Sequence, residues 1–136
     1  MHSSQNEQDN RHYARAAKLA MVEPSDSQEC LDFMREAYRI SEQFDIPVLF
    51  RTTTRVAHSK SIVTFGEREE QEAKPYARNT RKNIASPANA FLNHPKLEKT
   101  LEALEAYGCT SPLNRMELNG TKVGVISDSS DAYSRG

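Results

Sequence analysis

The sequence predicts an α/β fold centred on a strand, helix, strand unit over residues 19–58. Three observations carry this. Leu19-Ala20-Met21-Val22 and Val48-Leu49-Phe50 are short apolar runs of strand length. Between them Cys30, Phe33, Met34, Ala37, Ile40 and Phe44 recur at three- and four-residue steps, the signature of one helix face. Polar residues follow each apolar run, as Glu23-Pro24-Ser25 and as Arg51-Thr52-Thr53-Thr54-Arg55.

Each element has a local reason. Ser25 with Gln28, or Asp26 with Glu29, fits a capping box and starts the helix there. Asp32, Arg35, Glu36, Arg39 and Glu42 fall mostly on its opposite, solvated face. Asp45-Ile46-Pro47 ends it, because the residue before proline avoids helical angles. The unbroken run Val48 to Phe50 predicts a strand covered on both faces. Two such strands joined by a helix are expected to be parallel, with a right-handed crossover. Ligands of open parallel sheets sit beyond the carboxyl ends of the strands, where the glutamate, arginines and threonines lie.

Upstream, 2–11 is a dense polar run, either a solvated terminus or a site-lining loop of short hydrogen-bonding side chains. Tyr13 to Lys18 predicts a short helix with an alanine face for the sheet. Downstream, Ile62 to Phe65 predicts a short extended segment. The acidic run Glu67 to Glu72 and the basic run Lys74 to Lys82 predict a solvated, charge-paired linker. Pro95, then Leu97, Leu101 and Leu104, then Gly108 predict a helix capped by Asn93 or His94 and stopped at the glycine. Asn119-Gly120 marks a turn, and 121–127 a final strand with Val123, Val125 and Ile126 as its apolar content. The resulting division is 1–65, 66–92, 93–120 and 121–136.

Composition narrows the function classes. The 136 residues are 37% hydrophobic and 27% charged, with a net charge of −1, so the basic footprint of a nucleic-acid binder is missing. No apolar run approaches the roughly 20 residues of a membrane span. Cys30 and Cys109 form no CxxC motif and suit reduced thiols in a cytoplasmic protein. Two or three strands with about three helices make an incomplete sheet, so the chain is expected to be a piece of a larger protein or to complete its core on a partner.

The phrase at 2–11, His-Ser-Ser-Gln-Asn-Glu-Gln-Asp-Asn-Arg, is more specific than a short motif. It is joined by Tyr13-Ala14, Glu23 to Glu29, Pro47 to Ser59 with its Arg-Thr-Thr-Thr-Arg-Val-Ala-His core, Thr110 to Arg115 and Lys122 to Ser127. In that order and spacing the chain resembles the alpha subunits of indolepyruvate ferredoxin oxidoreductases, within the thiamine-diphosphate-dependent 2-oxoacid ferredoxin oxidoreductases. Ala20, where proline is expected, and 128–136 depart from the pattern.

The resemblance implies the rear part of a pyrimidine-binding-type α/β domain at 1–65, a charged linker at 66–92, a helix and connection at 93–120, and the first strand of a second α/β domain from 121. It implies that Met1 falls inside the family sequence. It also places outside this chain the carboxylate for the thiamine ring, the glycine- and aspartate-containing loop that holds diphosphate through a divalent metal, and a cysteine-rich ferredoxin-like region. The intact enzyme is expected to use thiamine diphosphate, Mg2+ and 4Fe-4S clusters, none held fully by this chain. It would act with a beta subunit, ferredoxin, a 2-oxoacid and coenzyme A, and convert aryl 2-oxoacids to acyl-CoA. The alternative is a noncatalytic fragment or split-gene component.

Candidate site residues follow from the same comparison. Ser4, Asn6, Glu7 and Arg11 would supply polar lining. Arg55 would meet a 2-oxoacid carboxylate, which a guanidinium binds in bidentate fashion. His58 would lie beside it, as acid, base or loop hydrogen-bonder. The plainer alternative is that Arg51 and Arg55 pair with nearby carboxylates. No metal ligand or catalytic residue is assigned.

Overall fold

A computed structural model describes residues 9–68, 70, 72–73, 75–118, 120, 122–124 and 126. The elements are α1 (Arg11–Ala17), β1 (Ala20–Val22), α2 (Ser27–Phe44), β2 (Val48–Phe50), α3 (Thr54–His58), α4 (Thr80–Asn83) and α5 (Pro87–Thr110). The predicted α/β class is what the described residues form.

β1 and β2 pair in parallel, with Ala20 beside Val48, Met21 beside Leu49 and Val22 beside Phe50. The ladder runs one residue further, since the Arg51 N–H donates to the Val22 carbonyl at 2.9 Å. Alternate residues Ala20, Val22, Val48 and Phe50 share one face and pack with Phe33, Ala37, Ile40 and Phe44 of α2. Leu104 and Tyr107 of α5 and Leu113 close over the same cluster.

Of the two capping alternatives, Asp26 is the one used. Its carboxylate accepts the Glu29 N–H at 2.8 Å. Glu29 in turn reaches back one residue further than a standard box, accepting both the Ser25 N–H (2.8 Å) and the Ser25 hydroxyl (2.6 Å). Both carboxylates also oppose the positive end of the helix dipole. At the other end Asp45 takes a left-handed conformation (φ 54°), which stops α2 before Pro47 is reached. Lys18 closes α1 in the same way, with φ 57°.

Several expectations are corrected. Met34, read on the packed face, is exposed, whereas Glu36, read as solvated, is buried at 8% exposure. The helix turns its Ala37–Ile40 stripe to the sheet, which rotates Met34 outward and brings Glu36 under α5. Val48, Leu49 and Phe50 are only half-buried, because α2 covers one face of a sheet that has two strands among the described residues. An apolar groove of about 210 Å³ lies along this flank, lined by Met34, Ala37, Tyr38, Ser41, Val48 and Phe50.

α5 begins at Ser86-Pro87 and not at residue 93 or 94. The Ser86 hydroxyl accepts the Asn89 N–H at 3.3 Å, and Pro87 takes the first turn, where its missing N–H costs nothing. Pro95 is therefore interior to the helix. Gly108 is helical too, and α5 runs on to Thr110, stopping at extended Ser111 ahead of Pro112.

Ile62 to Phe65 forms no ladder. It is held instead by the Gln28 side-chain amide, which accepts the Thr64 N–H (2.7 Å) and donates to the Thr64 carbonyl (3.3 Å). The strand read at 121–127 falls partly outside the described residues, and Val123, Gly124 and Ile126 take part in no strand.

Candidate functional site

The carboxyl ends of β1 and β2 carry Glu23 and Arg51. Because the strands end in register, these two residues are the next pair beyond Val22 and Phe50, and they form an ion pair through Arg51 Nη1 and Glu23 Oε1. Their side chains are only 10% and 11% exposed. Pro24, fully buried, follows Glu23 directly. A pair this buried is held by mutual neutralisation, since either charge alone would be strongly destabilised there.

The same arginine reaches the polar N-terminal run. Its Nε donates to Asn10 Oδ1 at 3.4 Å. Asn10 precedes α1, and the next residue, Arg11, is clasped by Asp9. The Arg11 backbone N–H (3.1 Å), Nε (2.7 Å) and Nη2 (3.1 Å) all donate to that carboxylate. The Arg11 guanidinium lowers the Asp9 pKa to about 2. The described end of the polar run, residues 9–11, is thus tied to the strand ends through Asn10 and held by the Asp9–Arg11 clasp.

Arg55 and His58 lie on α3, the short helix that starts beyond Arg51. The Thr53 hydroxyl caps it by accepting the Val56 N–H at 3.3 Å, and Val56 anchors it as a buried residue. Arg55 and His58 are both exposed and stand three apart, on one side of the helix. Ser4, Asn6 and Glu7 lie outside the described residues. The structure therefore brings Arg51, Glu23 and Asn10 together, carries Arg11 beside them in sequence, and sets Arg55 and His58 on the element that follows.

Glu23, Asp9 and Asn10 were not singled out as site residues in the sequence. A signal for Glu23 existed, since opposite charges follow two apolar runs predicted to be parallel. Register was the missing piece, and a shift of one residue would have parted them. Among the described residues no group of three or more His, Cys, Asp or Glu is placed to hold a metal ion. The Arg51 guanidinium at the strand ends is engaged by Glu23 and Asn10, and the described residues contain no carboxylate cluster for a diphosphate-bound cation. No helix among them is long and apolar enough to cross a membrane.

Comparison with known proteins gives this geometry a family. Residues 2–108 match the family described as pyruvate flavodoxin/ferredoxin oxidoreductase, thiamine diphosphate-binding. The chain is 43% identical over 129 residues to indolepyruvate oxidoreductase subunit IorA of Methanothermobacter thermautotrophicus, covering 93% of this chain and 21% of that protein. It is 39% identical over 128 residues to the subunit of the same name from Archaeoglobus fulgidus, covering 93% and 20%. The Pyrococcus horikoshii subunit is 39% identical over 133 residues, with the same coverage. The chain thus spans about a fifth of the length of these curated relatives. No solved structure matches it. With a match across most of its length and a parallel strand pair whose polar carboxyl ends suit ligand binding, the chain belongs to the thiamine-diphosphate-binding family of pyruvate flavodoxin/ferredoxin oxidoreductases.

Proposed function

We propose that this chain is part of an enzyme that oxidatively decarboxylates aryl 2-oxoacids such as indolepyruvate. The observation that carries the reading is identity of up to 43% across 93% of the chain with subunits named for indolepyruvate. In the proposed reaction the substrate carboxylate leaves as carbon dioxide and the acyl carbon bonds to the coenzyme A sulfur. The thiol proton is released, and an electron pair passes through iron–sulfur clusters to ferredoxin. Thiamine diphosphate, with Mg2+, would supply the electron sink, and a beta subunit would complete the assembly. The two free thiols, Cys30 and Cys109, suit a reducing cytoplasm.

This chain's own contribution is binding and orientation. Arg55 is the proposed contact for the 2-oxoacid carboxylate, with His58 beside it. Arg11, with Ser4, Asn6 and Glu7, is the proposed polar lining. Arg51 and Glu23 hold the strand ends that carry both groups. Among the described residues no group of three or more His, Cys, Asp or Glu is placed to hold a metal ion.

The second reading is a noncatalytic piece that is silent alone. It is favoured by the half-covered β2 and by exposed Ile62, Phe65, Phe91 and Leu118. One experiment addresses both. In the assembled enzyme carrying this segment, indolepyruvate and coenzyme A should drive ferredoxin reduction, and Arg55→Ala should raise KM for the 2-oxoacid more than it lowers kcat. The isolated 136-residue chain should show no turnover. Preference for pyruvate would overturn the aryl assignment. Turnover by the chain alone would overturn the second reading.

A further inference from the structure

The basic run at 74–82 was expected to be neutralised by the acidic run before it. Among the described residues a different pattern holds. Arg68 pairs with Glu70 inside the acidic run (3.6 Å), and Lys82 pairs with Asp45 at the end of α2. Neither Arg81 nor Lys96 has a carboxylate partner among the described residues. Both line an open groove of about 610 Å³ between the α2 end, α4 and α5. Its size lies within the roughly 300–1,000 Å³ of small-molecule sites.

The groove has a polar wall and an apolar floor. Asn93 bridges the Arg81 backbone and the Lys96 side chain, donating its amide to the Arg81 main-chain carbonyl (3.4 Å) while its Oδ1 accepts Lys96 Nζ (3.3 Å). Asn79 caps α4 by accepting the Lys82 N–H (3.1 Å), which fixes the turn that carries Arg81. Asp45, the one carboxylate among the described residues that line the groove, is engaged by Lys82. That ammonium also offsets the negative pole at the C-terminus of α2. Phe44, Ile46 and Leu97 supply apolar surface. A planar guanidinium and an ammonium lining one groove, neither paired with a carboxylate among the described residues, offer donors to a multidentate oxyanion.

We propose that this groove binds a small phosphate-bearing molecule, its phosphate on Arg81 and Lys96 and an apolar group against Phe44 and Leu97. The site is separate from the strand ends and does not depend on the reaction proposed for them.

The test is calorimetric titration of the full 136-residue chain with inorganic phosphate and with phenyl phosphate, at fixed ionic strength. Phenyl phosphate should bind saturably and more tightly than inorganic phosphate. Arg81→Gln and Lys96→Gln should each weaken it by about tenfold, the scale of one charge-assisted hydrogen bond. Lys60→Gln, an exposed cation elsewhere, should leave it unchanged. Should Arg81→Gln lose helical signal in circular dichroism, Arg81→Lys decides. It keeps the charge without the fork, and it should still weaken binding. Absence of saturable binding, or equal weakening by Lys60→Gln, or no effect of Arg81→Lys, overturns the proposal.

Discussion

The Tyr107 hydroxyl of α5 donates to the buried carboxylate of Glu36 on α2, two residues separated by 71 positions in the chain. Arg39 holds the other oxygen of that carboxylate at 3.1 Å, and the Tyr107 ring meets Phe44 edge-on at 5.6 Å. One side chain thus fastens the long helix to the core both by a polar contact and by an aromatic one. Tyr107→Phe keeps the ring and removes the proton donor. It should cost about 1–2 kcal/mol, because Glu36 is left with an unfilled acceptor in a buried place. Equilibrium denaturation checks this, and an unchanged midpoint would show that the hydroxyl contact is not made.

The same pair sets a pH window. The Tyr107 hydrogen bond, with Arg39, holds the Glu36 carboxyl below its ordinary range against the opposing effect of burial. Glu36 therefore contributes stability that is present above its unfolded pKa and is lost as pH falls through the folded value. The carboxylate partner raises the Tyr107 pKa above the ordinary 10. That contribution is present below the unfolded pKa and is lost as pH rises through the folded one. Fastening of α5 should hold from about pH 5 to about pH 10 and weaken on both sides. Thermal melts across that range, compared with Tyr107→Phe, should show wild-type excess stability shrinking at each end.

Helix α5 carries a local conflict. Pro95 inside it cannot donate to the Phe91 carbonyl, and its ring crowds the preceding turn. Pro95→Ala should stabilise the protein by up to about 3 kcal/mol. Ser86→Ala, which removes the cap, should destabilise it by about 1 kcal/mol. If the helix instead started near 93, Pro95→Ala would do little and Ser86→Ala nothing.

Legibility followed the range of the interactions. β1, α2 and β2 were readable because apolar spacing and caps act within a few residues. Asp26 with Glu29 was among the two capping alternatives, and the left-handed Asp45 lies beside the expected Pro47 stop. The start of α5 was misplaced because two serviceable proline signals compete, and Ser86-Pro87 has the better cap. The burial of Glu36 was unreadable, since its partner Tyr107 comes from a helix whose placement no local pattern encodes. The Glu23–Arg51 pair sat between these cases: both residues were visible at the strand ends, but their contact depends on register.

Gln28 pins the extended segment by substituting for a strand edge. Gln28→Ala removes both bonds to Thr64 and should release 62–65 from α2. Amide exchange at Thr64 should quicken sharply while that of α2 barely changes. Protection that persists in the variant would mean that something other than the Gln28 amide holds the segment.

The ion pair at the strand ends makes the sharpest energetic prediction. Glu23→Gln and Arg51→Met each leave one charge in a place about nine-tenths buried, and each should cost roughly 3 kcal/mol. The double variant removes both charges together, so it should cost clearly less than the sum, with a coupling energy of at least about 1 kcal/mol. Arg51→Met should cost more than Glu23→Gln, because Arg51 also holds Asn10 and through it the start of α1. Losses that simply add in the double variant would refute the pairing.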